Sequence, residues 1–491
     1  MKRRMMTLWS ALALCAGLAA AANDAAYAGI PIPPKVDGVD GQVVVDLSRE
    51  IRPIKILNGV NGGPMKKGTQ NFDFWKEAEI PYARLHDLNN LYQYGAPYVV
   101  DIPRLFPNFD ADENDPASYD FTMTDELLKR IQEAGTKVFY RLGACYESRM
   151  AKHYTIYPPK DFAKWARICE HVIAHYTEGW AGGFKWDIQY WEIWNEPDIG
   201  TSKSSYDPAR AAFWYGSRDQ FKELFKVSLK HLKTRFPHLK FGGPALAGSH
   251  AWFEEIIRDL AAAGIPLDFA SWHHYSTSPR RYADLARNKR NILDRYGYTK
   301  AESVLGEWNY VKDFGKNMEY SLVVEKGAQN HKGAAFIAAV FCALQNDGTV
   351  DISLFYDARL PAGMNNLFSA VPAGLPMRGY YPFAIWRDMR RLGTQVGCVS
   401  TLGDVYACAA KGQGGRWGAF VARYNEDNNV TAGVKVSLSL AGGAPVKELR
   451  CHQTDEILIH TARNLPVNGD GSVEFTMRPN SFFFFEGCMA E

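Results

Sequence analysis

The most informative stretch of the chain is YWEIWNEPD, residues 190–198, which places a carboxylic acid directly after a strand-forming run. Aromatic and β-branched residues favour a strand, and Pro197 ends it because proline has no N–H to donate. We therefore expect Glu196 at the carboxyl end of a strand, among aromatic side chains. Such a partly apolar setting raises the pKa of a carboxyl group, which suits a general acid.

A second acid follows a similar run. Glu307 lies in SVLGEWNY, residues 303–310, and enough chain separates it from Glu196 for two or three strand–helix units. The two acids can then lie on different strands and face one pocket. Two carboxylates at strand ends in an aromatic-rich site are what glycoside hydrolysis requires. The alternative is that both are ordinary acids at strand ends.

The composition is consistent with a sugar-processing protein. The chain has 491 residues, of which 46% are hydrophobic and 13% aromatic, so it can bury a large core and still offer aromatic faces to sugar rings. The 56 basic and 54 acidic residues nearly cancel and form no basic stripe, so nucleic acid is not expected as a partner. We expect no cofactor and no metal, because no CxxC or zinc-type spacing is present.

The N-terminus has the pattern of a secretory signal. Basic residues at positions 2–4 precede the apolar run 8–22, and small residues follow. Cleavage after Ala28 fits the pattern, and a cut near Ala22 is an alternative. The apolar run is short for a membrane span. We expect a periplasmic or extracellular protein without membrane contact after cleavage.

The cysteines leave their pairing open. Of the eight, Cys15 falls in the expected signal, so an odd number remains and at least one thiol stays free. Cys398 and Cys408 flank a predicted hairpin turn and are candidates for a bridge. Cys451 and Cys488 are another possible pair.

Between residues 51 and 390, short apolar strands alternate with amphipathic helical patterns, which predicts βα units and a parallel sheet. Eight strands in about 340 residues suit a (β/α)8 TIM barrel. Counted in order, Glu196 ends the fourth strand and Glu307 the seventh. The predicted strands are 55–57, 82–85, 137–142, 186–194, 239–242, 269–272, 303–305 and 352–355.

The pattern changes near residue 391, where strands separated by turn-rich segments replace the helical repeats. This predicts an all-β accessory domain over 391–491, which we interpret as a β-sandwich. An early strand, 42–47, lies in the N-terminal segment 29–50 and is expected to join it. The predicted strands are 395–399, 405–409, 417–424, 433–440, 446–452, 473–478 and 481–486.

Four motifs together resemble glycoside hydrolase family 39: YWEIWNEPD, GEWN at 306–309, RLH at 84–86 and SWHHY at 271–275. Members of that family include β-xylosidases and α-L-iduronidases. They belong to a clan of retaining (β/α)8 glycosidases with acids on strands four and seven. The resemblance implies that Glu196 is the acid/base and Glu307 the nucleophile.

The same resemblance suggests roles for neighbouring residues. Asn195 is expected to hydrogen-bond the 2-hydroxyl of the sugar, an interaction that strengthens in the transition state. Arg84 could hold Glu307 ionised, and Tyr275 could donate a hydrogen bond to it. The other expected substrate-binding residues are His86, His273, Trp194, Trp308 and Tyr356.

The chain departs from the clan pattern at strand eight, where a sugar-stacking tryptophan is common. Here the segment is Phe355-Tyr356-Asp357, and either aromatic ring could substitute. The polar segment 199–213 also differs from the xylosidase pattern. The sugar is therefore less well indicated than the reaction.

The first hypothesis is a secreted retaining glycoside hydrolase, β-xylosidase-like, acting on an oligo- or polysaccharide. One alternative keeps the fold and changes the specificity to an endo-acting exopolysaccharide hydrolase, an iduronidase-like enzyme or an arabinose-releasing one. Another is a non-catalytic carbohydrate-binding protein. A zinc hydrolase built on His171 and His175 is disfavoured, because no general base lies between those histidines.

Overall fold

The structure, a computed structural model, describes residues 30, 32, 37–85, 100–144, 156–199, 213–312, 330–360, 364–443 and 446–489. Strand β1 (Gly41–Pro53) precedes a closed barrel of parallel strands. The barrel strands are β2 (Ile56–Asn61), β3 (Tyr82–Arg84), β4 (Lys137–Leu142), β5 (Tyr190–Ile193), β6 (Lys240–Leu246), β7 (Phe269–Tyr275), β8 (Glu302–Asn309) and β9 (Ile352–Phe355). The predicted (β/α)8 barrel is confirmed.

Helices cover the outside of the barrel and connect its strands. They are α1 (Gln70–Glu77), α2 (Ile102–Leu105), α3 (Thr122–Glu133), α4 (Phe162–Thr177), α5 (Arg218–Arg235), α6 (His250–Ala262), α7 (Pro279–Arg295), α8 (His331–Asp347) and α9 (Tyr380–Leu392). Local sequence sets their ends. Ser217 and Gln220 form a capping box at the start of α5, and Gly135, with φ of 78°, follows the end of α3.

The barrel closes through pairing of β9 with β2. The lower part of its interior is apolar, because alternate residues of the strands point inward and pack on one another. The inward side chains of this layer are Ile56, Tyr82, Phe139, Tyr190, Phe269, Val304, Ile352 and Leu354. In strand order β5 is the fourth and β8 the seventh.

A second sheet of nine strands contains β1 and all the strands that follow α9. Its order is β15-β14-β17-β12-β11-β10-β1-β13-β16. The later strands are β10 (Thr394–Ser400), β11 (Val405–Lys411), β12 (Arg416–Arg423), β13 (Val434–Leu440), β14 (Val446–Thr454), β15 (Thr461–Arg463), β16 (Val473–Met477) and β17 (Ser481–Met489). Sequence patterns missed β15 because it has three residues, all partly or fully exposed.

The nine-stranded sheet curls over its own core. Phe475 on β16 packs against Phe483 and Phe485 on β17, with ring centroids 4.8 and 5.0 Å apart, although those strands are far apart in the sheet order. The early strand β1 bonds β10 antiparallel and β13 in parallel. It is longer than the predicted 42–47, because irregular pairing beyond Asp46 carries it on to Pro53.

Helix α8 lies between the barrel and the outer face of this sheet. Nearly all of its residues are buried, as expected for a helix that is apolar on every side. The Cys342 thiol lies 3.5 Å from the carbonyl oxygen of Phe420 on β12. Among the helices that the structure describes, none combines the length and the apolar character needed to cross a membrane.

The suggested disulfides are not formed, since Cys398, Cys408, Cys451 and Cys488 are all free thiols. Register explains the first pair. Val396 pairs with Ala409, so Cys398 and Cys408 differ by one residue in the register of the two strands. Their side chains therefore point to opposite faces of the sheet. Burial raises the pKa of the Cys398 thiol to about 12.

A buried lysine in the helical layer makes stability depend on pH. Lys289 on α7 is 3% exposed, and its Nζ lies 4.0 Å from the centre of the Phe253 ring on α6. Burial lowers the pKa of Lys289 to about 7, against the opposing attraction of Asp198. An unfolded lysine has a pKa of about 10.4. Between these values folding removes a proton, so the free energy of unfolding rises with pH.

We predict that Lys289→Met stabilises the fold by on the order of 4 kcal/mol near pH 6, where the buried charge is present. Near pH 9 the gain should fall to about 2 kcal/mol, because folded Lys289 is then neutral. Denaturant unfolding across this range measures the difference. Lys129→Met, at an exposed position of α3, is the control and should give a difference that does not change with pH. If the free energies of unfolding of Lys289→Met and wild type differed by the same amount at every pH, the prediction would be contradicted.

Candidate active site

Glu196 follows β5 in a turn of unusual backbone geometry. Trp194 and Glu196 have φ of 71° and 43°, in the left-handed region that residues with a Cβ seldom adopt. Neighbouring strands hold the turn: the Trp194 N–H donates to the Leu142 carbonyl, and the Glu196 N–H to that of Ala245. Strain of this kind costs about 1–3 kcal/mol per residue and is common at functional sites.

A β-bulge directs Glu307 into the barrel. Trp272 pairs with Leu305, but the next residue, His273, pairs with Glu307, so Gly306 is the extra residue. Leu305 and Trp308 both face the helical layer. Without the bulge, Glu307 would share the outward face of Leu305. The extra residue reverses the alternation and points the carboxylate inward.

The two acids meet in one buried site. Glu196 is 7% exposed and Glu307 4%. A carboxylate oxygen of each and a ring nitrogen of His273 all lie within 4.8 Å of one another. Retaining glycosidases hold their carboxyl groups about 5–5.5 Å apart, and inverting ones about 6.5–9.5 Å. The spacing is that of a nucleophile and an acid/base rather than of two acids separated by a water molecule.

Arg84 connects the groups around this pair. Its side chain has no exposure, and its Nη1 lies 2.8 Å from Glu307 Oε1. Nη1 also donates to Asn61 at 3.0 Å, and Nη2 to the Asn195 side-chain oxygen at 2.7 Å. Burial opposes the charge on Arg84, but Glu192 and Glu307 outweigh it and raise its pKa above the ordinary value. The site therefore holds a permanent cation beside Glu307.

Tyr275 and His273 each contact one of the acids. The Tyr275 hydroxyl donates to Glu307 Oε2 at 2.7 Å. Burial, with the nearby Glu307 and Glu196, raises the pKa of Tyr275 well above its usual value, so it stays a protonated donor. His273 Nδ1 lies 2.8 Å from Glu196 Oε1 and 3.6 Å from Glu307 Oε2. The imidazole is therefore close to both carboxylates.

Asn195 is held with its amide nitrogen available. Its side-chain oxygen accepts from Arg84, which fixes the orientation of the amide group. The buried Nδ2 has no hydrogen-bond partner among the described residues. A buried donor left unpaired costs free energy, so a ligand oxygen is the natural partner.

Two predicted contact residues do not face the site. Trp194 is 1% exposed; its indole N–H donates to the Phe213 carbonyl and its ring packs against Trp214. Trp308 has no exposure and packs against Phe355 in the layer outside the strands. Trp308 alternates with the inward Glu307, so its ring points away from the site. Trp194 lies two residues before Glu196, and its left-handed φ of 71° breaks the strand alternation. His86 lies outside the described residues.

Tyr356 is the aromatic residue at the end of strand eight that lies beside the site. Its ring meets Tyr275 edge to face, with centroids 6.3 Å apart, whereas Phe355 is in the core. Arg359 donates to the Tyr356 hydroxyl at 2.5 Å and to Asp357 at 2.5 Å. A tyrosine tied to an ion pair thus replaces the tryptophan common in the clan.

Sequence reasoning missed three polar residues that support the site. Glu192 and Asn61, both fully buried, contact Arg84. Asp198 accepts hydrogen bonds from the backbone N–H groups of Ala247, Gly248 and Ser249 and fixes the loop after β6. A signal existed for Glu192, because a charged residue within an apolar strand needs a buried partner.

The structure also bears on metal binding. His175 stacks on Phe121 and contacts Asp125, and His171 contacts the Arg167 carbonyl within its own helix, so the two do not form a ligand pair. Glu196, His273 and Glu307 converge as metal ligands can. However, Arg84 already places a cation 2.8 Å from Glu307. The donor set fits an acid–base pair better than a divalent ion.

Fold and site together define the class: an eight-stranded α/β barrel with two buried carboxylic acids, on strands four and seven, at the spacing used in retaining glycoside hydrolysis. Residues 99–303 match the family model of the glycosyl hydrolases family 39. The match includes Glu196, His273 and Tyr275 and ends before Glu307. The resemblance seen in the motifs is confirmed: residues 99–303, a part of the barrel, are similar to family 39.

Two curated β-xylosidases are similar to part of this chain. A β-xylosidase of Caldicellulosiruptor saccharolyticus is 28% identical over 191 residues, 36% of this chain and 36% of that protein. One from Geobacillus stearothermophilus is 26% identical over 170 residues, 32% and 31% of the two chains. The matches thus span about a third of the length of these curated relatives. A glucosidase structure from Croceicoccus marinus has a TM-score of 0.72 at 20% identity and covers 93% of this chain and 100% of that one, which supports the fold.

The bulge residue gives a test of the site geometry. A Cβ added to Gly306 would lie 3.0 Å from His273 Nε2 and 3.6 Å from Glu192 Oε1. We predict that Gly306→Ala destabilises the protein by about 1–3 kcal/mol, because the buried imidazole must move away from Glu196. Denaturant unfolding measures the loss.

Gly248→Ala is the matched control, because a Cβ there meets nothing within 4 Å and Gly248 does not have a positive φ. It should be neutral or slightly stabilising, since alanine restricts the unfolded chain. Equal stability of Gly306→Ala and Gly248→Ala would show that the bulge tolerates a side chain.

Proposed function

We propose that this protein is a retaining glycoside hydrolase that cleaves O-glycosidic bonds by double displacement. The observation that carries the proposal is the approach of Glu196 and Glu307 to within 4.8 Å at the carboxyl ends of strands four and seven. The family 39 match supports the same reaction class. A barrel that only binds sugar would not need two buried acids of different surroundings at this spacing.

Glu307 acts first, as the nucleophile. Arg84 at 2.8 Å and the Tyr275 hydroxyl at 2.7 Å stabilise its ionised form. The Glu307 carboxylate attacks the anomeric carbon while Glu196 gives its proton to the leaving oxygen. The bond to the leaving group breaks and a glycosyl-enzyme ester forms.

The second step returns the enzyme to its starting state. Glu196, now ionised, takes a proton from a water molecule, and that water attacks the anomeric carbon on the same face that the leaving group left. Glu307 leaves as a carboxylate, and the sugar keeps its anomeric configuration. His273, 2.8 Å from Glu196, orients this carboxyl group through both steps.

Asn195 supplies binding that favours the transition state. Arg84 accounts for its side-chain oxygen, so its Nδ2 is the group available to the sugar 2-hydroxyl. A hydrogen bond to that hydroxyl strengthens as charge develops on the ring. Arg84 therefore positions both the nucleophile and this donor.

For the substrate, we propose a β-xyloside in an oligo- or polysaccharide. The support is the name of the two curated relatives, both β-xylosidases. The tyrosine and ion pair at strand eight, in place of a tryptophan platform, leave three other specificities as alternatives: endo-acting on an exopolysaccharide, iduronidase-like, and arabinose-releasing. Fold alone does not decide among them.

A panel of aryl glycosides tests the specificity. We expect the highest kcat/KM on an aryl β-xyloside, and lower values on aryl β-glucoside, α-L-arabinofuranoside and α-L-iduronide. Release of the aryl group measured by absorbance gives the ranking. If no xyloside is turned over but another glycoside of the panel is, the proposed substrate is wrong and the proposed mechanism still stands.

The two acids should respond differently to removal. We predict that Glu196→Ala slows hydrolysis of unactivated glycosides by about 10²–10⁴-fold, the usual worth of general acid–base catalysis, and spares aryl glycosides with good leaving groups in the first step. Azide should restore turnover and give a glycosyl azide of retained configuration, because a small anion needs no general base. Glu307→Ala should lose roughly 10⁵–10⁶-fold, as loss of a nucleophile typically does.

The anomer of the azide product, read by NMR, distinguishes the mechanisms. Rescue of Glu196→Ala with inversion would contradict double displacement. The control is Glu254→Gln on α6, 36% exposed and paired with Arg295, which should keep wild-type kinetics. Unchanged hydrolysis by Glu307→Ala would overturn the enzyme assignment altogether.

A further inference from the structure

A third carboxylate lies under the acid pair, and the double displacement gives it no part. Glu192 is the inward residue of β5 directly above the Tyr190 layer, and neither it nor Arg84 is exposed. Its Oε2 lies 2.6 Å from Arg84 Nε. A buried carboxylate is costly to keep, so its presence on a strand of the catalytic barrel calls for a function.

One cation is shared by two acids. Arg84 uses Nε for Glu192 and Nη1 for Glu307, at 2.6 and 2.8 Å. The guanidinium group is a planar, rigid fork, so fixing Nε fixes the direction of both Nη atoms. Those atoms face Glu307 and Asn195. Glu192 thus determines the angle at which Arg84 meets the nucleophile.

Charge leads to the same conclusion. If Glu307 were the only acid at Arg84, the two would form a closed ion pair in a site with almost no solvent, and such a carboxylate is a weak nucleophile. Glu192 takes part of the attraction of Arg84. The Glu307 oxygen then remains ionised without being bound too tightly to attack.

The second oxygen of Glu192 supports a role beyond structure. Oε1 is buried and has no hydrogen-bond partner among the described residues. A carboxylate kept only to hold the fold would be expected to use both oxygens, since an unpaired buried acceptor destabilises the folded state. Here one oxygen serves Arg84 and the other contributes only negative charge.

We propose that Glu192 is a positioning residue of the glycosidase reaction: it fixes the Arg84 guanidinium and shares its charge, which keeps the Glu307 carboxylate from being bound too tightly to attack. The inference rests on the proposed function. Several charged or titratable side chains face this group from the surrounding strands. They are Arg84 on β3, Arg141 on β4, Glu192 on β5, Glu196 after β5, His273 and Tyr275 on β7, and Glu307 on β8.

Glu192→Gln tests the proposal, because it keeps the shape and removes the charge. Arg84 then has one ion-pair partner fewer and attracts Glu307 more strongly, so the acid limb of the kcat/KM profile should move to lower pH by about 0.5–1 unit. kcat/KM on an aryl glycoside should fall on the order of tenfold to hundredfold, through weaker attack and a less well oriented Arg84. A wild-type pH profile for the variant would overturn the proposal, even with lowered stability.

Glu302→Gln is the matched control. Glu302 is also a barrel-strand glutamate with a cation, Lys240 at 2.7 Å, but it lies at the opposite end of the barrel. Glu302→Gln should leave the acid limb of the kcat/KM profile at its wild-type pH.

If Glu192→Gln does not fold, Glu192→Asp is tested in its place. Aspartate keeps the negative charge, but its shorter side chain moves the carboxylate away from Arg84 Nε. We therefore expect kcat to fall while the acid limb stays at the same pH. Full activity of Glu192→Asp would contradict the positioning role.

A double-mutant cycle separates this inference from the proposed function, because it needs no substrate. Either acid alone can hold Arg84, so Glu192→Gln and Glu307→Gln combined should lower the unfolding midpoint by more than the sum of the single losses. Additive losses would overturn the sharing of Arg84. A wild-type protein inactive on every glycoside, with a coupled cycle, would reject the glycosidase reaction and leave the charge-sharing network in place.

Discussion

The buried Arg84 guanidinium is the interaction on which the site depends. It joins residues from three other barrel strands or their ends, β2, β5 and β8: Asn61, Glu192, Asn195 and Glu307. Each contact is a hydrogen bond to a cation in a place without solvent, where charge is costly unless fully paired. The upper barrel is therefore polar and tightly constrained, whereas the layer below it is apolar.

Two departures from regular backbone geometry place the acids around this cation. The left-handed turn at Trp194 and Glu196 takes the chain out of β5 and leaves Glu196 beside His273. The bulge at Gly306 brings Glu307 inward beside Arg84 and Tyr275. Packing of Trp194 and Trp308 in the helical layer holds both departures in place. The tryptophans next to the acids thus act on the site through the backbone rather than through substrate contact.

The architecture explains why the accessory sheet is part of the same folding unit. Helix α8 is apolar on all sides and is buried between the barrel and the nine-stranded sheet. Strand β1 precedes the barrel in sequence but belongs to the nine-stranded sheet, where it pairs with β10 and β13. The barrel is therefore flanked in sequence by strands of that sheet on both sides. Disulfides do not contribute there, since the register puts Cys398 and Cys408 on opposite faces.

Much of this could be predicted from local pattern. The eight barrel strands, the acids on the fourth and seventh and most of the accessory strands follow from periodicity and turn residues. The orientation of side chains at irregular positions could not. The family resemblance suggested that Trp194 and Trp308 contact substrate. It did not identify the role of Glu192, because a local pattern does not show which residues of distant strands pair.

The sequence by itself determined the type of fold and the two acids, since these depend on residue type and spacing along one strand at a time. Only the tertiary structure decided which groups surround each acid, how far apart the acids lie and that one arginine serves two carboxylates. The physical reason is that electrostatic interactions act across the barrel, between residues far apart in the chain. Their strength depends on burial and on distances of a few ångströms, which arise only when the strands close.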